Sequence, residues 1–134
     1  TREVIKIRLF LRCAVIIGMI LLFSGEARAD QVIAAHQLKL PGDVNSYNAR
    51  IAAKILSGKI IRPGEIFSFN QAVGKRTPEK GFVKGIMPVK RGGKVYNVKA
   101  IGSGVCRLAT TIFQTVKIAG FEIIERHPHQ VPVH

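Results

Sequence analysis

One thiol and two imidazoles stand close together in the C-terminal third of the chain. Cys106 directly follows the turn Gly102-Ser103-Gly104, and His127 and His129 flank Pro128 further along. A thiolate is a strong nucleophile, and an imidazole is the usual group that activates it by taking its proton. These residue types therefore predict a nucleophilic site in which Cys106 attacks and His127 or His129 acts as the base.

The residues after the glycine turn predict a helix that begins just before Cys106. Apolar residues recur there with the period of a helix. They are Val105, Leu108, Ile112, Val116 and Ala119. Gly120 is placed to end the helix, and Ser103 or Gly104 to cap its start. The dipole at a helix start favours a thiolate by only about 0.3–1 kcal/mol, so a reactive Cys106 also needs a protonated histidine nearby.

The segment that carries the histidines is predicted to be extended. An apolar, β-branched run over 121–126 predicts a strand, and Pro128 keeps the following residues out of a helix. His127 and His129 then point to the same side, and His127, next to the strand, is expected to be held more firmly. A metal site of Cys106 with both histidines is a weaker alternative, because the spacing matches no common zinc pattern; we predict no metal and no cofactor.

The run GSGVCRLATTIF at 102–113 resembles the central motif of the VanW family, named for vancomycin B-type resistance protein W. Three further pieces agree with the family in order and spacing. They are NARIAA at 48–53, PGEIFSFN at 63–70 and ERHPH at 125–129. The chain departs from the family at Arg107, where glutamine is usual, and at Ala109, where serine is usual.

The resemblance spans about 45–134 and implies an association with glycopeptide resistance and peptidoglycan maintenance, without a defined reaction. It marks Glu65 and Asn70 as candidate binding residues, although an exposed glutamate after a turn is usually only solvated. Thr110 and Thr111 could hydrogen-bond a substrate. Arg107 is expected outside the core, and if it lines a cleft it could bind a substrate carboxylate bidentately.

The fold class is predicted to be α+β, with a small, mostly antiparallel sheet against two packed helices. The helices are expected at about 46–56, capped by Asn45 or Ser46, and at 105–119. Shorter patterns predict a strand at 59–62, a type II turn at Pro63-Gly64, a half-buried strand at 65–70, and a hairpin pairing 87–90 with 95–98. Asn48 is expected to tie its helix to a neighbouring backbone.

The N-terminal residues have the pattern of a secretory signal peptide. Basic residues precede the apolar run Ala14–Phe23, and Ala27-Arg28-Ala29 is a small-x-small cleavage site. We therefore expect a signal peptide over 1–29, a connector over 30–44 and a domain over 45–134 whose C-terminus is incomplete. An uncleaved N-terminal anchor is the alternative.

The charge of the chain favours an anionic partner. With 21 Lys and Arg against 8 Asp and Glu, the net charge is +13, and export to the cell envelope or beyond argues against nucleic acid as the partner. The expected partner is peptidoglycan or an anionic wall polymer, with membrane contact only through an uncleaved signal segment. Five basic residues in 84–99 make the hairpin a candidate contact, or a charged edge that resists aggregation.

Two functions of different classes follow. The first is an exported enzyme that uses Cys106 for acyl transfer or amide cleavage on wall peptides. The second is a non-catalytic, basic wall-binding module. Whether the chain is an enzyme depends on the surroundings of Cys106, because a thiol beside a histidine in a cleft favours the first and a thiol sealed in aliphatic packing favours the second.

Overall fold

A computed structural model of the chain describes residues 6–8 and 31–129, and these form a small α+β fold, as predicted. The helices are α1 Val44–Leu56, α2 Phe69–Val73 and α3 Val105–Ile118, with a short 3-10 turn at Pro78–Lys80. The strands are β1 Lys6–Arg8, β2 Ile66–Ser68, β3 Lys84–Arg91, β4 Lys94–Ile101 and β5 Glu122–Glu125. Within the described part of the chain, no helix combines the length and apolar character needed to cross a membrane.

Strands β3 and β4 form the predicted hairpin, but it is longer than the sequence indicated. Gly92 and Gly93 make the turn, both with positive φ (54° and 79°), as a two-residue turn of the I′ type requires. Pairing then continues from Arg91 opposite Lys94 to Lys84 opposite Ile101. The prediction paired 87–90 with 95–98, whereas the backbone ladder also includes 84–86 with 99–101, and the pair Arg91 and Lys94 beside the turn.

The second sheet has the antiparallel order β2-β1-β5. Its middle strand is Lys6–Arg8, from the segment that the sequence assigns to a signal peptide; the rest of residues 1–29 lies outside the described residues. The strands predicted around 65–70 and 121–126 are present in shorter form as β2 and β5. The strand predicted at 59–62 is wrong, since this segment is irregular and Ile60 is almost wholly in water.

The core lies between α1, α3 and the chain from β2 to Phe82. Its buried side chains come mainly from aromatic and small residues. They are Ala52, Phe67, Phe69, Val73, Phe82, Val105 and Ala109. Phe67 and Phe69 are both buried, as the alternating pattern predicts, but the strand ends at Ser68, whose hydroxyl caps α2. Helix α2 was not predicted, because a five-residue helix is too short to show a helical period.

Helix α1 begins earlier than predicted, and Asp43 caps it instead of Asn45 or Ser46. The Asp43 carboxylate accepts a hydrogen bond from the Ser46 backbone N–H at 2.7 Å, which is the usual contact of an N-cap side chain. The amide of Asn45 is therefore available elsewhere, and it bonds both the N–H and the C=O of Ile86, at 3.1 and 2.9 Å.

Asn48, one helical turn further on, makes an equivalent contact deeper in the protein. Its side-chain oxygen accepts from the Val83 N–H at 3.0 Å, and its amide nitrogen donates to the carbonyls of Val83 and Ser103, both at 2.9 Å. The residue is 0% exposed. Asn48 thus ties α1 to a neighbouring backbone, as predicted, and it joins three parts of the chain.

We predict that Asn48→Ala lowers the free energy of unfolding by about 2–3 kcal/mol, because it leaves a buried backbone N–H without its acceptor and removes two further hydrogen bonds. Urea denaturation followed by circular dichroism measures the change. Asn97→Ala, at an exposed hairpin position, is the matched control and should change stability by less than about 0.5 kcal/mol. Equal effects of the two substitutions would contradict the role assigned to Asn48.

Candidate functional site

The glycine turn before α3 packs directly against the start of α1. Gly102 and Gly104 both have positive φ, 74° and 93°, a conformation that side chains with a Cβ rarely adopt. A Cβ on Gly104 would lie 2.5 Å from the Asn45 Cβ, and one on Gly102 would lie 2.7 Å from the Arg76 Cβ. A side chain is therefore excluded at both positions, by the close neighbouring atoms and by the positive φ. Gly104 is the N-cap residue of α3, as expected, and Cys106 lies in the first turn of that helix.

A cavity of about 370 Å³ opens beside this turn. Its wall combines the start of α3 with β3, the glycine turn and the segment that precedes α1. The apolar part of the lining includes Leu38, Pro41, Ile86, Met87 and Pro88. The part that could act on a substrate consists of Cys106, Arg107, Thr110 and His129. Cys106 is half-buried and is not in a disulfide, so the cysteine borders an open cavity.

The two histidines have different surroundings. His127 is exposed, and its Nε2 lies 2.7 Å from Oε1 of Glu125. His129 is half-buried and lines the cavity, where its Nε2 is buried with no hydrogen-bond partner among the described residues. Of the two candidate bases, the structure therefore places His129, and not His127, in the lining of the cavity with Cys106.

The packing of the C-terminal segment against α3 explains how His129 reaches the cavity. After α3 ends, the Phe121 N–H donates to the Val116 carbonyl at 3.0 Å and reverses the chain. The guanidinium carbon of Arg126 then lies 3.9 Å from the centre of the Phe113 ring, a favourable cation–π distance. The extended chain therefore runs back along α3 towards Cys106 at the start of that helix.

Arg107 lines the cavity, but its guanidinium already binds a carboxylate of the chain itself. Nη1 and Nη2 donate to the two oxygens of Asp43 at 2.7 and 3.0 Å, and Nη1 also donates to Ser46 Oγ at 2.6 Å. The hydrogen bond from Arg107, followed by that from Ser46, holds the pKa of Asp43 well below its usual range. The bidentate geometry predicted for Arg107 is present, with Asp43 as its partner; binding of a substrate carboxylate stays a prediction.

Of the remaining predicted residues, only Thr110 is part of the described cavity lining. Thr110 borders the cavity, whereas Thr111 Oγ1 donates to the Arg107 carbonyl at 2.9 Å, within the helix. Glu65 Oε2 accepts from the Arg62 N–H at 2.7 Å and closes the predicted Pro63-Gly64 turn. Asn70 lies in α2 and is not part of the described cavity lining.

The sequence did not reveal Asp43 or Asn45 as neighbours of the site. An aspartate just before a helical pattern is a usual N-cap signal and could have identified Asp43. The contact of Asn45 with β3 has no local signal, because it joins residues 41 positions apart. Among the described residues, no three His, Cys, Asp or Glu side chains are grouped closely enough to hold a metal ion.

Fold and site together define a small α+β domain in which a glycine turn places a cysteine at a helix start beside a cavity. The sequence model of the family described as VanW like protein matches residues 45–134. The chain therefore belongs to the VanW family, as the four motifs predict.

Two relatives share part of the chain. It is 37% identical over 84 residues to the uncharacterized protein YoaR of Bacillus subtilis, covering 63% of this chain and 26% of that protein. It is 31% identical over 85 residues to vancomycin B-type resistance protein VanW of Enterococcus faecalis, covering 63% of this chain and 30% of that protein. The chain thus matches less than a third of the length of either relative. No solved structure matches it significantly.

Substitutions at Asp43 and Arg107 should separate the helix cap from the ion pair. Asp43→Asn retains a good cap but loses the charge, so we expect it to cost no more than about 1 kcal/mol, the usual value of an exposed pair. Arg107→Gln should cost a similar amount. Asp43→Ala removes both contacts and should cost about 1–2 kcal/mol from the cap alone. Urea unfolding at neutral pH measures these changes. An equal loss of unfolding free energy in Asp43→Asn and Asp43→Ala would contradict this order.

The ion pair also predicts an acid dependence of stability. Because hydrogen bonds from Arg107 and then Ser46 depress the folded pKa of Asp43, its contribution to stability is fully present above the unfolded pKa of about 3.9. It decreases as pH falls below that value and is lost as pH falls through the lower, folded pKa. Unfolding of the unsubstituted chain and of Asp43→Asn should therefore differ at pH 7 and converge towards pH 3. A difference that stays constant over this range would show that the Asp43 charge does not stabilise the fold.

Proposed function

We propose that this chain contributes the thiol site of an exported envelope protein that acts in glycopeptide resistance and peptidoglycan maintenance. The reaction proposed is acyl transfer or amide cleavage on wall peptides, with Cys106 as nucleophile and His129 as base. The observation that carries this proposal is that Cys106 and His129 line one cavity, and that Nε2 of His129 is buried without a hydrogen-bond partner among the described residues. The likeness to vancomycin B-type resistance protein VanW supports the biological setting.

The proposed reaction follows from the chemistry of a thiol and an imidazole. His129 takes the Cys106 proton, and the thiolate attacks the peptide carbonyl carbon to form a tetrahedral oxyanion. N–H groups in the first turn of α3 are candidate donors to that oxyanion. The C–N bond then breaks, the imidazolium protonates the leaving amine, and a thioester remains on Cys106. Water or a second amine attacks the thioester, which releases the acyl group and restores the thiol.

The charges around Cys106 explain why the histidine is necessary. The pKa of Arg107 is raised mainly by its hydrogen bond to Asp43, and to a lesser extent by the negative charge of a Cys106 thiolate. The attraction between thiolate and guanidinium is mutual, so Arg107 favours the thiolate. Asp43 opposes this effect, because its carboxylate is in direct contact with the same guanidinium. The imidazole of His129 therefore has to supply the remaining stabilisation.

A second candidate is a non-catalytic module that binds an anionic wall polymer. The supporting observation is the charge of the hairpin, since residues 84–101 include five lysines and arginines and no acidic residue. This function requires neither Cys106 nor His129.

Alkylation of Cys106 by iodoacetamide as a function of pH tests the proposed pair. We expect the reaction midpoint below about pH 7.5, compared with about 8.5 for an ordinary thiol. Replacing Cys13 by Ser limits the reaction to Cys106. His129→Ala should move the midpoint back towards that of an ordinary thiol. His127→Ala is the matched control and should leave it unchanged, because His127 faces Glu125. An unreactive thiol, or a midpoint indifferent to His129, would contradict the catalytic proposal.

Binding and turnover can be measured in parallel to separate the two candidates. The catalytic proposal predicts that incubation with stem peptides yields a thioester adduct on Cys106 by mass spectrometry, and that His129→Ala suppresses it. Cys106→Ala should retain binding to isolated peptidoglycan. Binding to peptidoglycan without any adduct, in both the unsubstituted and the His129→Ala chain, would favour the binding module.

A further inference from the structure

The β3–β4 hairpin has two different faces. Residues directly opposite each other in an antiparallel pair share a face, so the register assigns four residues of each strand to what we call the outer face. They are Lys84, Ile86, Pro88 and Lys90 of β3, and Val95, Asn97, Lys99 and Ile101 of β4. All of these except the half-buried Pro88 are exposed. The opposite face carries the buried or half-buried Gly85, Met87, Val89, Val98 and Ala100, and near the turn the exposed Arg91, Lys94 and Tyr96.

The outer face combines exposed aliphatic side chains with lysines. Ile86, Val95 and Ile101 are 54%, 55% and 37% exposed. Each of them is paired across the hairpin with a lysine, Ile86 with Lys99, Val95 with Lys90, and Ile101 with Lys84. Lysines alone would suit a solvated face or an edge protected from aggregation. Aliphatic side chains between the lysines add no solubility, so the combination fits a partner with both apolar and anionic parts.

We propose that the outer face docks on the surface of a lipid bilayer that contains anionic headgroups. A bilayer offers both parts, since each lysine near an anionic membrane contributes about 1 kcal/mol and aliphatic side chains enter the boundary between headgroups and acyl chains. A soluble polyanion would pair with the lysines but leave the aliphatic side chains in water. The absence of acidic residues in 84–101 gives this surface the required charge complementarity.

This docking has a consequence for the cavity. Ile86 and Pro88 belong to the outer face and also line the cavity that contains Cys106. Docking would therefore hold the cavity beside the bilayer surface. The inference does not depend on Cys106 chemistry, since a non-catalytic chain would dock in the same way.

Single tryptophans can localise the contact, because the chain has no tryptophan of its own. Val95→Trp places the reporter on the outer face, and Tyr96→Trp, at the next residue, places it on the opposite face as a matched control. With vesicles of phosphatidylcholine and phosphatidylglycerol, we expect the Val95→Trp emission to shift to shorter wavelength and to be quenched by brominated acyl chains. The Tyr96→Trp emission should change little. The reporters are local, so they distinguish this contact from binding through the N-terminal apolar run.

Other outcomes of the tryptophan experiment would overturn the proposal. These are no shift in either variant, equal shifts in both, or an equal Val95→Trp shift on vesicles of phosphatidylcholine alone. A shift produced by soluble polyphosphate but not by vesicles would assign the face to a wall polymer instead.

A charge experiment tests the same surface independently. Replacing Lys84, Lys90 and Lys99 together by glutamine should weaken binding to anionic vesicles by roughly 100-fold at low salt, from about 1 kcal/mol per lysine. The control removes the same charge elsewhere, by replacing Lys54, Lys59 and Arg62 with glutamine, and should weaken binding much less. Equal weakening by both triple substitutions would show a diffuse attraction and overturn the assignment to the outer face.

Discussion

The arrangement of this domain depends on the hydrogen bonds of the Asn48 side-chain amide. The amide is wholly buried, and it bonds the backbone just before β3 and the carbonyl of Ser103 in the glycine turn. An asparagine amide offers one acceptor and two donor hydrogens, which match the N–H and two carbonyls presented to it. A buried amide that is fully paired stabilises one arrangement over others, because any displacement leaves polar groups without partners. The positions of α1, the hairpin and the start of α3 are thereby linked.

The glycine turn can approach α1 only because Gly102 and Gly104 lack side chains. Packing of Gly104 against Asn45 brings the first turn of α3 next to the first turn of α1. In that arrangement Arg107 meets Asp43 and Ser46, so the same carboxylate caps one helix and holds the other. The position of Cys106 is consequently fixed by contacts on both sides of it, at Gly104 and at Arg107. The backbone of Cys106 is thereby held at a position where the residue lines the cavity.

The sequence correctly predicted those elements whose structure is determined by neighbouring residues in the chain. The glycine turn, α3 and the hairpin follow from residue period and turn chemistry, and the four motifs identified the family. Errors occurred where distant contacts decide the structure. Among the described residues, the segment 59–62 pairs with no other strand. Lys6–Arg8 forms a strand by pairing with β2 and β5. The sequence left both His127 and His129 open as the base. Glu125, two residues before His127, binds the imidazole of His127, and His127 is not part of the described cavity lining.

The difference between the two histidines shows why the site could not be deduced from spacing alone. His127 is already paired with the half-buried carboxylate of Glu125, so it gains little from a hydrogen bond to a thiol. His129 instead has a buried Nε2 with no partner among the described residues, and an unpaired buried nitrogen costs about 1–3 kcal/mol. That cost falls when a thiol proton, a thiolate or a substrate group pairs with the nitrogen. The cavity lining therefore includes both Cys106 and an imidazole whose Nε2 is not paired within the described fold.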